Sequence, residues 1–182
     1  MRNIANLATA PRFGEQWLSQ HQLGYADLDR DDRTAIREFA LLWVIFESQT
    51  LFGDGRVKAM LDFVDDVDQA AEAHDRNLLT APFIPHLTYF RHQFVDADRA
   101  RTNDLFGSLM FPDPGSKEFV SQALVRLSDD TTELVKALLI IVHEFKNRLF
   151  GGLQLRHCEQ KQRDDLYHAS KVLMKATDMS RG

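Results

Sequence analysis

The chain has 182 residues, of which 44% are hydrophobic and 27% charged, a composition that favours one globular domain with a sizeable core over disorder. Its formal net charge of −5 argues against a protein that coats nucleic acid generally, although a local basic patch is compatible with it. The single cysteine, Cys158, excludes an intramolecular disulfide framework. No apolar signal follows Met1, and the apolar run 138–142 is too short to span a bilayer. We therefore expect a cytoplasmic protein without a membrane segment.

The first half of the chain predicts three helices. Residues 1–11 carry no strong pattern, and we expect them to be loosely attached. A short helix is predicted over 15–23, before Gly24, and a long one over 29–52, where acidic residues at the start favour a helix N-terminus. A third helix is predicted over 56–74. Apolar residues recur at helical spacing in the long helix and predict the centre of the core: Ile36, Phe39, Leu42, Trp43, Ile45 and Phe46.

The second half predicts further helices and no strands. Two prolines mark a connection before a helix that contains residues 84–94. The turn residues at 112–116 predict a loop, and helix propensity resumes at Lys117. The final helix is predicted over 159–176. Because no stretch alternates with period two, the sequence predicts an all-α fold, a single helical bundle of about five to seven helices over residues 1–182.

Residues 130–152 predict the helix around which the bundle is organised. Asp130 and Glu133 form a capping-box pattern, and Gly151 and Gly152 predict a helix end with positive φ. The apolar side chains span about 180° of the helical wheel, which is wide for a helix covered on one side. Either neighbouring helices or a second subunit must cover this arc. We assign to the interface of a homodimer or hetero-complex Val135, Leu138, Leu139, Val142, Lys146 and Phe150.

Lys146 is the only charged residue within this arc, while His143, Glu144, Asn147 and Arg148 are predicted on the opposite, polar side. Lys146 has two interpretations. Its stem lies along the edge of a buried helix with the ammonium in water, or the ammonium is held in a cleft that binds an anion.

Several metal and nucleophile motifs are excluded. His143 and Glu144 begin a His-Glu-x-x-His pattern, but its fifth position is Asn147, so the second zinc ligand is missing. The carboxylates Asp62, Asp65, Asp66 and Asp68 lack a Glu-x-x-His partner pattern, and a solvated face explains them better. Cys158 follows His157 in sequence, which does not establish the spatial pairing that a thiol nucleophile needs. We predict no metal and no cofactor.

Three segments carry a resemblance to a known family. IIVHEFKNRLFGG (140–152), then RDDLYHASKVLMKA (163–176), resembles the last two helices of HEPN (higher eukaryotes and prokaryotes nucleotide-binding) domains. FALLWVIFESQTLFG (39–53) is similar to an early helix of that family. The resemblance implies a HEPN-like helical bundle.

The resemblance also implies a degenerate active site. HEPN ribonucleases use an Arg and a His a few residues apart, with a polar residue after the Arg. Here the Arg position is Lys146, the polar position keeps Asn147 and the His position is Gly151. Glycine cannot transfer a proton, and lysine lacks the bidentate fork with which arginine grips a phosphate.

Residues 143–163 are locally basic and contain the candidate RNA contacts Lys146, Arg148, Arg156, Lys161 and Arg163. Arg163 and His168 have the Arg-to-His separation of the family, but on the last helix, so a displaced site and a solvated surface both remain open.

Two functions follow from the resemblance. The first is a non-catalytic HEPN-like subunit that binds a partner protein or RNA, as an accessory component of a bacterial anti-phage or toxin–antitoxin system. The second is a metal-independent endoribonuclease in which Lys146 and Asn147 hold the phosphate. In that case His157 or His143 replaces the missing histidine.

Overall fold

The computed structural model describes residues 13–22, 24–71, 81–126, 130–151 and 160–181. Their fold is an all-α helical bundle, as predicted. The four-residue α5 brings the helices of the described ranges to eight, one more than the upper end of the prediction. They are α1 (Phe13–His21), α2 (Arg30–Gln49), α3 (Val57–Ala70), α4 (Ile84–Phe94), α5 (Asp104–Gly107), α6 (Pro114–Arg126), α7 (Thr131–Phe150) and α8 (Gln160–Met179).

One small strand pair lies between α4 and α5. β1 (Val95–Asp96) pairs antiparallel with β2 (Arg101–Thr102), with Val95 opposite Thr102. The prediction that the chain has no strand was wrong here. Strands of two residues are too short to show an alternating hydrophobic pattern, which is the signal that sequence analysis uses.

Side-chain caps set the starts of α2 and α7. Asp29 Oδ1 accepts the N–H of Asp32 at 2.7 Å, and Asp32 returns the bond by accepting the N–H of Asp29 at 3.2 Å. At the start of α7, Asp130 accepts the N–H groups of Thr132 and Glu133 at 2.9 and 3.4 Å. These bonds satisfy amides that have no partner within the helix. Both predicted starts are confirmed to within one residue.

The start of α6 differs from the prediction. The helix begins at Pro114 rather than at Lys117, so residues 114–116 are helical and not a loop. Asp113 caps this start by accepting the N–H of Ser116 at 2.8 Å. Proline suits the first helical position because no helical hydrogen bond is required of its nitrogen there.

The end of α7 differs as well. Gly151 has φ −75°, not a positive φ, and its N–H donates to the Asn147 carbonyl at 2.8 Å. A Cβ atom at Gly151 would lie only 2.8 Å from that carbonyl oxygen. Glycine therefore permits a close backbone contact here rather than a left-handed turn. Gly152 lies outside the described residues.

The wide apolar arc of α7 is covered by other helices of the same chain. α7 contacts α3, α6 and α8 along its length, and also α2 and α4. Val135, Leu138, Leu139 and Val142 are each 2% exposed or less. The assignment of these four residues to a subunit interface was therefore wrong, because they form part of the core of their own chain. Phe150, also assigned to the interface, is 57% exposed.

The opposite side of α7 is not a solvated face. His143 is 7% exposed and Glu144 is fully buried, contrary to the prediction, whereas Asn147 is exposed. A helical wheel separates the apolar from the polar side of one helix. It cannot show that neighbouring helices cover both sides, as they do around α7. α7 is thus the central helix of the bundle.

The acidic residues of α3 bind the start of α7 and a neighbouring lysine. Asp65 pairs with Lys136, Asp68 accepts a hydrogen bond from Thr132 at 3.1 Å, and Asp62 pairs with Lys58. Within the described ranges, no group of three or more His, Cys, Asp or Glu side chains is arranged to hold a metal ion. None of the helices in those ranges has the length and apolar character needed to cross a membrane.

Candidate anion-binding groove

An open groove of about 610 Å³ lies where the turn between α2 and α3 faces the C-terminal half of α7. α7 contributes His143 and Lys146, which lie one helical turn apart and therefore on one side of the helix. The turn contributes glycines and charged side chains from a segment about 90 residues earlier in the chain. The ionisable residues that line the groove are Glu47, Asp54, Arg56, Lys58, Asp113, His143 and Lys146.

Lys146 lies over an aromatic ring at one wall of this groove. Its Nζ is 5.0 Å from the centre of the Trp43 ring and donates to Asn147 Oδ1 at 3.2 Å. Trp43 is 1% exposed and donates from Nε1 to Glu47 at 2.8 Å, so core packing and this hydrogen bond hold the ring in place. The Lys146 ammonium therefore lies over the Trp43 ring and also lines the groove. A lysine at the edge of a buried helix and a cation in a cleft are thus compatible interpretations.

The other cations of the groove are paired. Arg56 donates from Nε to Asp54 at 2.8 Å, and Lys58 pairs with Asp62. The hydrogen bonds from Arg56 lower the pKa of Asp54 to about 2, so this carboxylate stays ionised. Across the described part of the chain, no carboxylate forms a salt bridge with Lys146. Lys146 is thus the groove cation whose charge is available to an anionic ligand.

A short polar chain connects Lys146 to His143. The Asn147 amide accepts from Lys146 through Oδ1, and its Nδ2 lies 3.2 Å from His143 Nδ1. With the amide in this orientation, Nδ2 donates to Nδ1, which assigns the proton of the neutral imidazole to Nε2. The His143 ring also lies 5.9 Å from the Trp43 ring, centre to centre. Three candidate catalytic residues, Lys146, Asn147 and His143, are therefore neighbours.

Glu144 is an unusual buried carboxylate beside this chain. Neither of its oxygens has a hydrogen-bond partner among the described residues, and Oε1 lies 3.5 Å from His143 Nδ1. An ionised carboxylate without hydrogen bonds is costly to bury. The packing of the bundle, and not the residue type, places Glu144 there.

The remaining basic candidates do not join the groove. Arg163 is held by three carboxylates at the start of α2, with Nε 2.9 Å from Asp32 and the terminal nitrogens 2.7 Å from Asp29 and 3.6 Å from Asp31. Arg163 joins α8 to α2 through these contacts, and its assignment to RNA contact stays a prediction. Arg148 is half-buried and does not line the groove. Arg156 and His157 lie outside the described residues, as does the side chain of Lys161.

The displaced pair of Arg163 and His168 is separated in the fold. Arg163 faces α2, whereas His168 faces α4, where its Nδ1 lies 2.9 Å from His86 Nδ1. The Tyr89 ring stacks on His168 with 3.7 Å between centres, and its hydroxyl donates to Asp165 at 2.9 Å. The sequence did not predict this cluster because its two histidines are 82 residues apart, and the only pattern that contained His168 paired it with Arg163.

Burial controls the charge of the histidine pair. Desolvation, followed by the nearby charges of His168, Lys175 and Lys171, lowers the pKa of His86 to about 4. Burial also lowers the pKa of His168, and it raises the pKa of Tyr89. The pair is therefore neutral at pH 7, and one imidazole donates to the other.

Comparison of the chain with protein-family models, with curated proteins and with solved structures found no match.

Proposed function

We propose that this protein is a non-catalytic, HEPN-like subunit that binds RNA through the groove at Lys146. Its proposed setting is that of an accessory component of a bacterial anti-phage or toxin–antitoxin system, which rests on the resemblance alone. The observation that carries the binding proposal is the position of Lys146, a cation without a carboxylate partner in the described ranges, at the wall of an open groove.

The start of α3 also lines the groove. α3 begins at Val57, directly at the groove, and its cap residue Arg56 makes no side-chain cap hydrogen bond. The first amides of α3 add partial positive charge at this end of the groove. The ionised Asp54, which accepts the Arg56 N–H at 3.1 Å, offsets part of it. The charge of Lys146, which no carboxylate of the described ranges pairs, is therefore the observation that supports an anionic ligand such as RNA. A protein interface along 134–150 is less supported, because most of that face is buried.

The identity of residue 151 favours binding without catalysis. Gly151 stands at the histidine position of the HEPN motif and has no proton to transfer. A histidine there would bring its Cβ to 2.8 Å from the Asn147 carbonyl, so the backbone at the end of α7 would have to shift. Restoring the motif by Gly151→His is therefore not a clean test of a lost activity.

One observation favours the alternative of a metal-independent ribonuclease. His143 lines the same groove as Lys146 and is hydrogen-bonded to Asn147, so it is the histidine best placed to replace the missing one. Its 7% exposure argues against easy proton exchange with a substrate.

RNA binding is tested by the fluorescence anisotropy of a labelled single-stranded RNA of 12 nucleotides, titrated with wild-type protein, Lys146→Ala and Lys171→Ala. Lys171 is a matched control, because it is a half-buried lysine that lies over Tyr167 on α8. We expect Lys146→Ala to weaken binding and to reduce the slope of log Kd against log salt by about 1, as for one lost phosphate contact. Equal effects of both variants, or no binding by the wild type, would refute the proposal.

Catalysis is tested separately, by incubating total RNA with a large excess of protein in EDTA. We expect the RNA to remain intact. Cleavage that is lost in both Lys146→Ala and His143→Gln would instead establish the ribonuclease alternative.

A further inference from the structure

We propose that Phe52 is a stacking residue, which holds a nucleobase of a single-stranded nucleic acid whose phosphate lies at Lys146. This inference rests on the proposed function and adds to it the class of nucleic acid and the residue that contacts the base. Phe52 directly precedes Gly53, which lines the groove.

The exposure of Phe52 is not explained by packing. Its side chain is 93% exposed, the largest value among the large hydrophobic side chains of the described ranges. Its φ of +52° lies in the left-handed region, which is unfavourable for an aromatic L-residue. Unfavourable backbone conformations of this kind occur preferentially at ligand-binding sites. An aromatic ring is therefore presented to solvent at a conformational cost that its own side-chain contacts do not offset.

The turn around Phe52 is rigid, so the ring is held outside the core. The preceding residue, Leu51, is 5% exposed and anchors the turn. The Gly53 N–H donates to the Glu47 carbonyl and the Asp54 N–H to the Leu51 carbonyl, both at 2.9 Å. Asp54 also accepts the N–H of Arg56 at 3.1 Å. These bonds fix the backbone on both sides of Phe52, so little backbone freedom is lost when a base stacks on its ring.

A second aromatic side chain is exposed on the helix that carries Lys146, although neither this ring nor that of Phe52 is among the residues that line the groove. Phe150 lies four residues after Lys146, on the same face of α7, and is 57% exposed. Exposed aromatic rings beside a groove cation are the arrangement by which proteins bind single strands, since the phosphates contact the cations and successive bases stack on the rings. Bases within a duplex are already stacked, so this arrangement selects single strands. It does not read sequence, because every base has a π-face.

The experiment compares Phe52→Ala, Phe52→Leu and Phe52→Trp in the same anisotropy assay, with the single-stranded RNA and with an abasic ribose-phosphate 12-mer. Leu41→Ala is the matched control, because Leu41 is an exposed apolar residue within α2, 62% exposed, and is not adjacent in sequence to a residue of the groove. We expect the alanine and leucine variants to bind the RNA at least about fivefold more weakly, which is the smaller end of measured stacking effects. We expect Phe52→Trp to keep the affinity and its added tryptophan fluorescence to be quenched by RNA. Binding of the abasic oligomer should be the same in all variants.

The outcomes separate this inference from the function on which it rests. If Lys146→Ala weakens RNA binding and Phe52→Ala does not, the stacking proposal fails and the groove remains an RNA site. If Phe52→Leu keeps full affinity, the contact is apolar rather than stacked, as in a protein pocket, and the proposal is overturned. If the wild type binds no RNA, both proposals fail.

Discussion

The ammonium of Lys146 lies 5.0 Å from the centre of the Trp43 ring, so a cation at the groove rests on an aromatic side chain of the core. We expect this pair to contribute about 0.5–1 kcal/mol to stability at a partly exposed site. The measurement is a double-mutant cycle with Lys146→Met and Trp43→Leu in urea denaturation. Trp43→Leu alone should cost about 3 kcal/mol through the lost core volume. Strictly additive effects would show that the two side chains do not interact.

The contacts of Arg163 with the start of α2 predict a structural role. Arg163→Gln should lower the melting temperature by several degrees, because three carboxylates at one helix start would then lose a shared counter-charge. Arg99→Gln is the control, since Arg99 is exposed and forms a single 3.5 Å ion pair with Asp96. If Arg163→Gln instead weakened RNA binding and left the melting temperature unchanged, the predicted RNA contact of Arg163 would be supported and its structural role refuted.

The burial of Glu144 predicts that its carboxylate destabilises the fold. Glu144→Met, which keeps the length of the side chain, should raise the free energy of unfolding by about 1–3 kcal/mol. The matched change at an exposed position, Glu38→Met, should have little effect. A loss of stability in Glu144→Met would mean that the buried carboxylate contributes a favourable interaction.

Phe52 and Ala100 are the non-glycine residues of the described ranges with positive φ. Phe52→Gly should raise the free energy of unfolding by about 1 kcal/mol, because it relieves left-handed strain and loses almost no buried contact. Ala100→Gly should act in the same direction. If only Ala100→Gly stabilises the protein in thermal denaturation, Phe52 makes contacts that offset its strain.

The histidine pair predicts a pH-dependent stability. Because burial lowers the pKa of His86 from 6.5 to about 4, the unfolded chain binds more protons than the folded chain between these pH values. The free energy of unfolding should therefore fall as the pH decreases from 6.5 to 4. His86→Gln should reduce this pH dependence, measured as urea midpoints at several pH values. His92→Gln, on the exposed side of the same helix, should leave it unchanged.

Local interactions made much of the helical structure predictable. The starts of α2 and α7 were predicted because Asp29 and Asp130 act on amides two or three residues away, which is a property of the local sequence. The core positions Phe39, Trp43 and Phe46 were predicted from helical spacing, and each is at most 1% exposed.

The tertiary structure decided the surroundings of these helices. α7 is enclosed on several sides, so His143 and Glu144 are buried although their residue types favour a polar face. Arg163 is neutralised by acidic residues that lie more than 130 positions earlier. The groove at Lys146 forms only when the α2–α3 turn meets the end of α7. Hydrophobic periodicity is a property of one helix at a time. The sequence could therefore determine which segments of the chain are helical. Which residues meet depends on contacts between distant segments, and packing alone decides those.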